Sequence, residues 1–128
     1  MTSPVLPDTD VLVDFLRGNS KAVALVRGSP DRILLSAIVV TELYAGVKGA
    51  AEQAALDAFV SLFRVIPVTQ ELARAGGLLK RDYGKSHGVG LADALVAASA
   101  QAENASLLTL NTRHYPMLKG LRPAYAKA

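Results

Sequence analysis

Apolar positions along this chain alternate between short uninterrupted runs and longer periodic stretches. "SPVLPD" reads as a first strand running into a turn. In "TDVLVDFLRG" the apolar positions 11, 12, 15 and 16 repeat as one helix face, which Gly18 closes. "NSKAVALVRGSPD" predicts a second short helix, from an Asn19 or Ser20 cap to Gly28. "RILLS" is a brief buried strand, and "AIVVTELYAGVKGA" continues as a helix with Val39, Val40, Leu43 and Val47 turned inward. "AEQAALDAFVSLF" predicts another amphipathic helix and "RVIPV" a third strand. "TQELARAGGLLKRDYG" is a helix that Thr69 can cap, though Leu72 stands where a capping box needs an acid. The Ala-rich "LADALVAASAQAEN" is a further helix, "SLLTLN" a fourth strand and "LRPAYA" a candidate fifth.

Strands separated by helices need crossover connections. The pattern therefore predicts an α/β fold, a mainly parallel sheet of four or five strands with helices on both faces. No linker or repeat interrupts it, and 128 residues suit one domain, so residues 1–128 are expected to form a single unit. Ligands in such sheets bind beyond the carboxyl ends of the strands. Asp8 stands at one such end and Asn111 at another.

Composition narrows the picture. Hydrophobic residues make up 51% of the chain and aromatics only 5%, so the core must rest on Ala, Val and Leu. The chain has no cysteine, which excludes disulfides, thiolate zinc sites and a cysteine nucleophile and suits a reducing compartment. No basic leader precedes an apolar segment, and no run approaches the ~20 residues of a membrane span. A soluble, cytoplasmic protein without membrane contact is expected. The net charge of +3 mildly favours a polyanionic partner, although a solvated surface explains it equally. Basic residues concentrate in "LLKRDYGKSH" and in the tail from Arg113 to Lys127.

Three acids sit among apolar neighbours: Asp8, Glu42 and Asp93. Each has a structural explanation by itself. Asp8 or Asp10 can cap the following helix, Asp93 suits the positive end of a helix dipole, and Glu42 can face solvent. Together, strand ends and helix starts of a parallel sheet can reach one edge. Clustered carboxylates repel, and a divalent cation relieves them; oxygen ligands suit Mg²⁺ or Mn²⁺. That constellation suggests metal-assisted phosphoryl chemistry on nucleic acid. Asp14 is expected on the solvent face, near Arg17. His87 and His114 lack zinc-ligand spacing, and neither a phosphate-cradling glycine loop nor a nucleophile elbow is present.

At "DTDVLVDFLRG", "LSAIVVTELYAGV", "LADALVAASA" and "LLTLNTRHYPML" the chain resembles the PIN-domain endoribonucleases, specifically VapC-type toxins of bacterial toxin–antitoxin pairs. The resemblance covers nearly the whole chain. It implies a three-layer α/β/α sandwich, RNA cleavage with Mg²⁺ or Mn²⁺, a cognate antitoxin whose C-terminal segment enters the active-site groove, and a homodimer. Asp8, Glu42 and Asp93 match the catalytic, metal-binding acids, and Thr9 the hydroxyl beside the first. Water activated by the metal would hydrolyse the phosphodiester, leaving 5′-phosphate and 3′-hydroxyl ends. Thr9 and Asn111 would orient ligands or the scissile phosphate, and Lys80, Arg81, Lys85 and Arg113 are candidate RNA backbone contacts.

Asn111 stands where the family often has an acid, and His114 where it often has Asp before an aromatic. His114 is expected to touch RNA or to cover the core with Tyr115. Pro7 removes a backbone donor at the strand end. Two alternatives stay open: a PIN-like RNA-binding or regulatory module without turnover, and an aspartyl-nucleophile phosphatase with Asp8 as nucleophile and Asp10 as acid and base.

Overall fold

Four three-residue strands carry the architecture, and all pair in parallel. The computed structural model describes residues 3–126. In chain order the elements are β1 (Val5–Pro7), α1 (Thr9–Leu16), α2 (Ser20–Gly28), β2 (Leu34–Ser36), α3 (Ala37–Ala45), α4 (Gly49–Val60), β3 (Arg64–Ile66), α5 (Gln70–His87), α6 (Leu91–Ala102) and β4 (Ser106–Leu108). Single 3-10 turns occupy Pro30–Arg32 and Thr112–His114. Leu6 pairs with Leu107 and Leu35 with Val65, and a bridge between Val5 and Ile33 joins the two strand pairs. The order across the sheet is thus β4-β1-β2-β3. The chain advances from β1 to β3 and then returns past β1 to β4. With right-handed crossovers, that reversal puts α1–α4 and α5–α6 on opposite faces.

The core is aliphatic, as composition requires: Leu6, Leu12, Leu35, Val39 and Val96 are shielded from solvent. α6 is buried along Ala94, Val96, Ala97, Ala98, Ser99 and Ala100, so it needs small side chains on most of its circumference. α5 packs against it at Gly76, where an added Cβ would come within 2.5 Å of Leu95 Cδ2 and 3.3 Å of Leu95 Cα. The two helices join through "GVG". Gly88 closes α5 with a φ of 65°, Val89 is buried, and Lys80 Nζ donates to the Val89 carbonyl at 2.7 Å. This tight return places the first turn of α6, with Asp93, at the carboxyl edge of the sheet.

Several expectations change. The helix expected through residue 50 ends at Ala45. Gly46 caps it, and α4 restarts at Gly49, whose φ is 82°; Glu52 receives the Lys48 N–H at 3.0 Å and so closes the new N-terminus. On α1 the inward arc is Val11, Leu12 and Asp14, while Leu16 is 48% exposed. At roughly 100° per residue, position 14 lies about 60° from 11, and position 16 falls about 40° beyond 12, past the edge of that arc. Asp14 is therefore not a solvent-facing residue. It is buried and accepts the Tyr125 hydroxyl at 2.6 Å.

"LRPAYA" adds no fifth strand. It is held by Ala124 N–H to the Thr109 carbonyl at 2.9 Å, by Tyr125, and by Lys21 Nζ on the Ala126 carbonyl. Pro123 lacks the donor that a continued ladder would use. Lys127, at the end of the basic tail, lies outside the described residues.

Adjacent glycines in α5 should respond in opposite directions. Gly76→Ala gains about 1 kcal/mol of helix propensity but must displace Leu95, at about 1–3 kcal/mol; urea melts should show a net loss. Gly77 has open space around it, and Gly77→Ala should gain about 0.5–1 kcal/mol.

Candidate active site

Asp8 follows β1 directly. Its N–H donates to the Leu108 carbonyl at 2.8 Å, which locks it beside the end of β4. N–H groups alternate sides along a strand, so Pro7, one residue earlier, lacks its donor on the side away from β4. The Asp8 carboxylate is buried and fully engaged. Oδ1 accepts the Thr9 N–H at 2.9 Å; Oδ2 accepts the Thr109 hydroxyl at 3.0 Å and the Tyr115 hydroxyl at 2.7 Å. Three donors are what a buried carboxylate needs. They come from α1, from the residue after β4, and from the end of the second 3-10 turn.

The same Tyr115 hydroxyl lies 3.2 Å from Asp93 Oδ1. Asp8 and Asp93 are therefore within about 6 Å of each other, two hydrogen-bond lengths. Burial raises the Asp93 pKa above the usual carboxylate range and the negative charge of Asp8 adds to it, while Tyr115 and His114 act the other way. Burial, with the charges of Asp8 and Asp93, pushes the Tyr115 phenol far upward, so it stays a neutral donor. His114 Nδ1 sits 3.4 Å from Asp93 Oδ2 with its side chain about half exposed. It neither covers the core nor stands free on the surface; Tyr115 alone fills the core.

Glu42 enters from α3. It is exposed, and its Oε1 accepts the Thr9 hydroxyl at 2.6 Å. Because Thr9 also donates its N–H to Asp8, Glu42 is connected to the Asp8–Asp93 pair through one residue. Asp10 does something else. Its Oδ1 accepts the Val11 N–H at 2.7 Å, and its Oδ2 accepts the Leu110 N–H at 2.9 Å and the Asn111 amide at 3.2 Å. Asp10 thus ties the chain leaving β4 to α1. Burial, then Asp8's charge, raises its pKa, partly offset by those backbone donors.

The expected cations divide. Lys80 spends its ammonium on the Val89 carbonyl; Arg81 lends only its Nε to Asp82 and stays exposed, as do Lys85 and Arg113. Thr109 and Tyr115 were not among the candidates. The signal in "TLNTRHY" was the hydroxyl two residues before Asn111 and the aromatic four after it, but only folding shows that both reach Asp8.

Beside Glu42, a cleft of about 470 Å³ opens between α1, α3 and α4, lined by Val13, Leu16, Leu43, Val47 and Leu56. Arg17, Lys48 and Glu52 also border it.

Among the described residues no three His, Asp or Glu side chains are already gathered closely enough to hold an ion. What is gathered is a pair of carboxylates, with Glu42 linked to it through Thr9. This all-oxygen donor set suits a hard divalent cation that keeps several waters and takes one or two carboxylates.

Short parallel strands carrying carboxylates at their carboxyl edge define a small α/β domain with an acidic site. The PIN domain family matches residues 5–117. Ribonuclease VapC19 of Mycobacterium tuberculosis is 44% identical over 124 residues, spanning 94% of this chain and 98% of the relative. Ribonuclease VapC10 of the same organism is 38% identical, spanning 95% and 93%. A toxin–antitoxin complex from Klebsiella pneumoniae superposes with a TM-score of 0.82 at 26% identity, over 94% of this chain and 98% of that one. The DNA-bound VapBC of Salmonella typhimurium shares the fold, with a TM-score of 0.79 at 20% identity over 95% and 97%. This chain belongs to the PIN-domain family.

Thr109→Val keeps the side-chain shape and removes one of Asp8's three donors. Thermal or urea unfolding should show a loss of about 1–3 kcal/mol; an unchanged midpoint would mean that the Thr109 contact carries no weight.

Proposed function

We infer that this chain is a metal-dependent endoribonuclease, the toxin of a toxin–antitoxin pair. The observation that carries the reading is the gathering of Asp8 and Asp93 on one buried hydroxyl at the sheet's carboxyl edge. It occurs in a chain 44% identical, over nearly its whole length, to a ribonuclease.

In this reading Asp8 and Asp93 hold a divalent cation, Mg²⁺ or Mn²⁺, and Glu42 is a direct ligand or accepts the proton of a coordinated water. A cation bound there supplies a lowered pKa for water and neutralises charge on the phosphate being cleaved. The chain's own residues do the remaining work. Thr9 aims Glu42 toward the pair. Asp10 fixes Asn111, whose amide orients substrate without adding charge. Arg113, exposed beside His114, and Lys85 are open to the RNA backbone. Lys80 is a weaker candidate, because its ammonium would first leave the Val89 carbonyl, whereas Arg81 keeps its Asp82 contact through Nε and stays exposed.

The cleft beside Glu42 is the surface we assign to the antitoxin's C-terminal segment. An amphipathic segment would bury apolar residues against Leu16, Leu43 and Leu56 and screen Glu42 from RNA. Leu16, exposed on α1, acquires a role there. A relative solved as a toxin–antitoxin complex supports a partner of this kind. A homodimer, a single domain over residues 1–128 and a cytoplasmic location belong to the same proposal. Among the described residues no helix is long and apolar enough to cross a membrane.

The phosphatase alternative fits poorly. Its acid and base would be Asp10, whose two carboxylate oxygens are committed to Val11, Leu110 and Asn111.

The test is digestion of single-stranded RNA with Mn²⁺, followed by sequencing of the ends. Wild type should leave 5′-phosphate and 3′-hydroxyl termini, and EDTA should stop the reaction. Asp8→Ala and Asp93→Asn should lose on the order of 100-fold or more in rate, beyond the 10–100-fold typical of residues that merely support a metal ligand. Tight binding of several RNAs without cleavage, by antitoxin-free protein, would favour the non-catalytic module instead.

A further inference from the structure

We propose that Tyr115 is a positioning residue for the cation site: its hydroxyl sets the spacing of Asp8 and Asp93 and so the affinity of the pair for a divalent ion. The proposal rests on the reading that these two carboxylates hold the cation.

Tyr115 is 1% exposed and belongs to the hydrophobic core, so its ring has no room to swing. Its backbone is fixed as well, as the cap of the turn at Thr112–His114, with its N–H on the Thr112 carbonyl at 3.0 Å. The phenol oxygen is consequently a fixed point, delivered by core packing to a place between two acids.

The two acids are not held equally. Asp8 has three donors and is 8% exposed. Asp93 has the Tyr115 hydroxyl at 3.2 Å and His114 at 3.4 Å, and its side chain is 32% exposed. It lies in the first turn of α6 and can rotate outward. Like charges at this separation repel, and outward rotation would relieve the repulsion. The hydroxyl opposes that movement by placing a dipole between the carboxylates. Its single proton is shared between the two acceptors, nearer Asp8 at 2.7 Å than Asp93 at 3.2 Å. Partners behind metal ligands commonly act this way, and their loss typically costs about 10–100-fold in metal affinity. A phenylalanine would fill the same core volume, so the oxygen is the part of Tyr115 that packing does not require.

Calorimetric titration with Mn²⁺ of wild type, Tyr115→Phe, Asp8→Asn and Asp93→Asn tests the idea, with melting temperatures taken in EDTA. Tyr115→Phe should weaken Mn²⁺ binding about ten-fold. In RNA cleavage, the Mn²⁺ concentration for half-maximal rate should rise by a similar factor, with a smaller loss of rate at saturation. A hydroxyl that only stabilised the fold would lower the melting temperature and leave Mn²⁺ affinity unchanged; that result, or tighter binding, overturns the proposal. If the two Asp variants bind Mn²⁺ as wild type does, the cation-site reading itself fails. If they lose binding while Tyr115→Phe keeps it, only the role of Tyr115 fails. Should Tyr115→Phe not fold, carbon-labelled tyrosine NMR of wild type gives the answer: Mg²⁺ must shift the Tyr115 ring signal, and an unmoved signal overturns the proposal.

Discussion

A buried carboxylate at the end of β1 constrains much of this molecule. Unpaired, Asp8 would be costly to hold at 8% exposure, by several kcal/mol. It is tolerated because donors arrive from the next residue and from two positions far along the chain, Thr109 beyond β4 and Tyr115 beyond a 3-10 turn. Satisfying Asp8 therefore requires β4 to lie beside β1 in a single register and the chain beyond it to fold back. Asp10 repeats the device two residues along, receiving Leu110 and Asn111. The acids at the carboxyl edge thus fasten the end of the chain to its beginning.

The price in electrostatics is visible in the raised pKa values of Asp93 and Asp10, where burial and the neighbouring Asp8 both oppose ionisation. A site built this way is short of positive charge, which a divalent cation would supply in the proposed reading. Glu42 stands apart from this crowding. It is exposed on α3, joined through Thr9, and borders the apolar cleft. One side chain therefore faces both the proposed chemistry and the proposed docking surface, so a partner in the cleft can control access to the site without distorting the core.

Much of the fold was legible along the chain because its periods differ so clearly. "RILLS" and "SLLTLN" are too short and too apolar for surface helices, and "LADALVAASAQAEN" is too small and too long for a strand. Errors fell where a local signal was outweighed. The helix through Gly46 and Gly49 looked continuous because the apolar spacing persists across the break, yet it stops at Ala45, and Gly49, with a positive φ, starts a new one. Asp14 looked like a surface acid because most are; Tyr125, far along the chain, makes its burial possible. Pro123 stops a ladder that the pattern around it would have continued.

The site divides in the same way. Asp8, Glu42, Asp93, Thr9 and Asn111 could be named from sequence, since carboxylates at strand ends and helix starts of a parallel sheet converge on one edge and the motifs resemble a known family. Thr109 and Tyr115 could not, because a threonine and a tyrosine in a strand exit carry no pattern of their own. The chain alone determined which elements form and where acids enter them, for these depend on near neighbours and on period. The tertiary structure decided which hydroxyl faces which carboxylate, because hydrogen bonds between residues a hundred positions apart exist only once packing has brought those residues together.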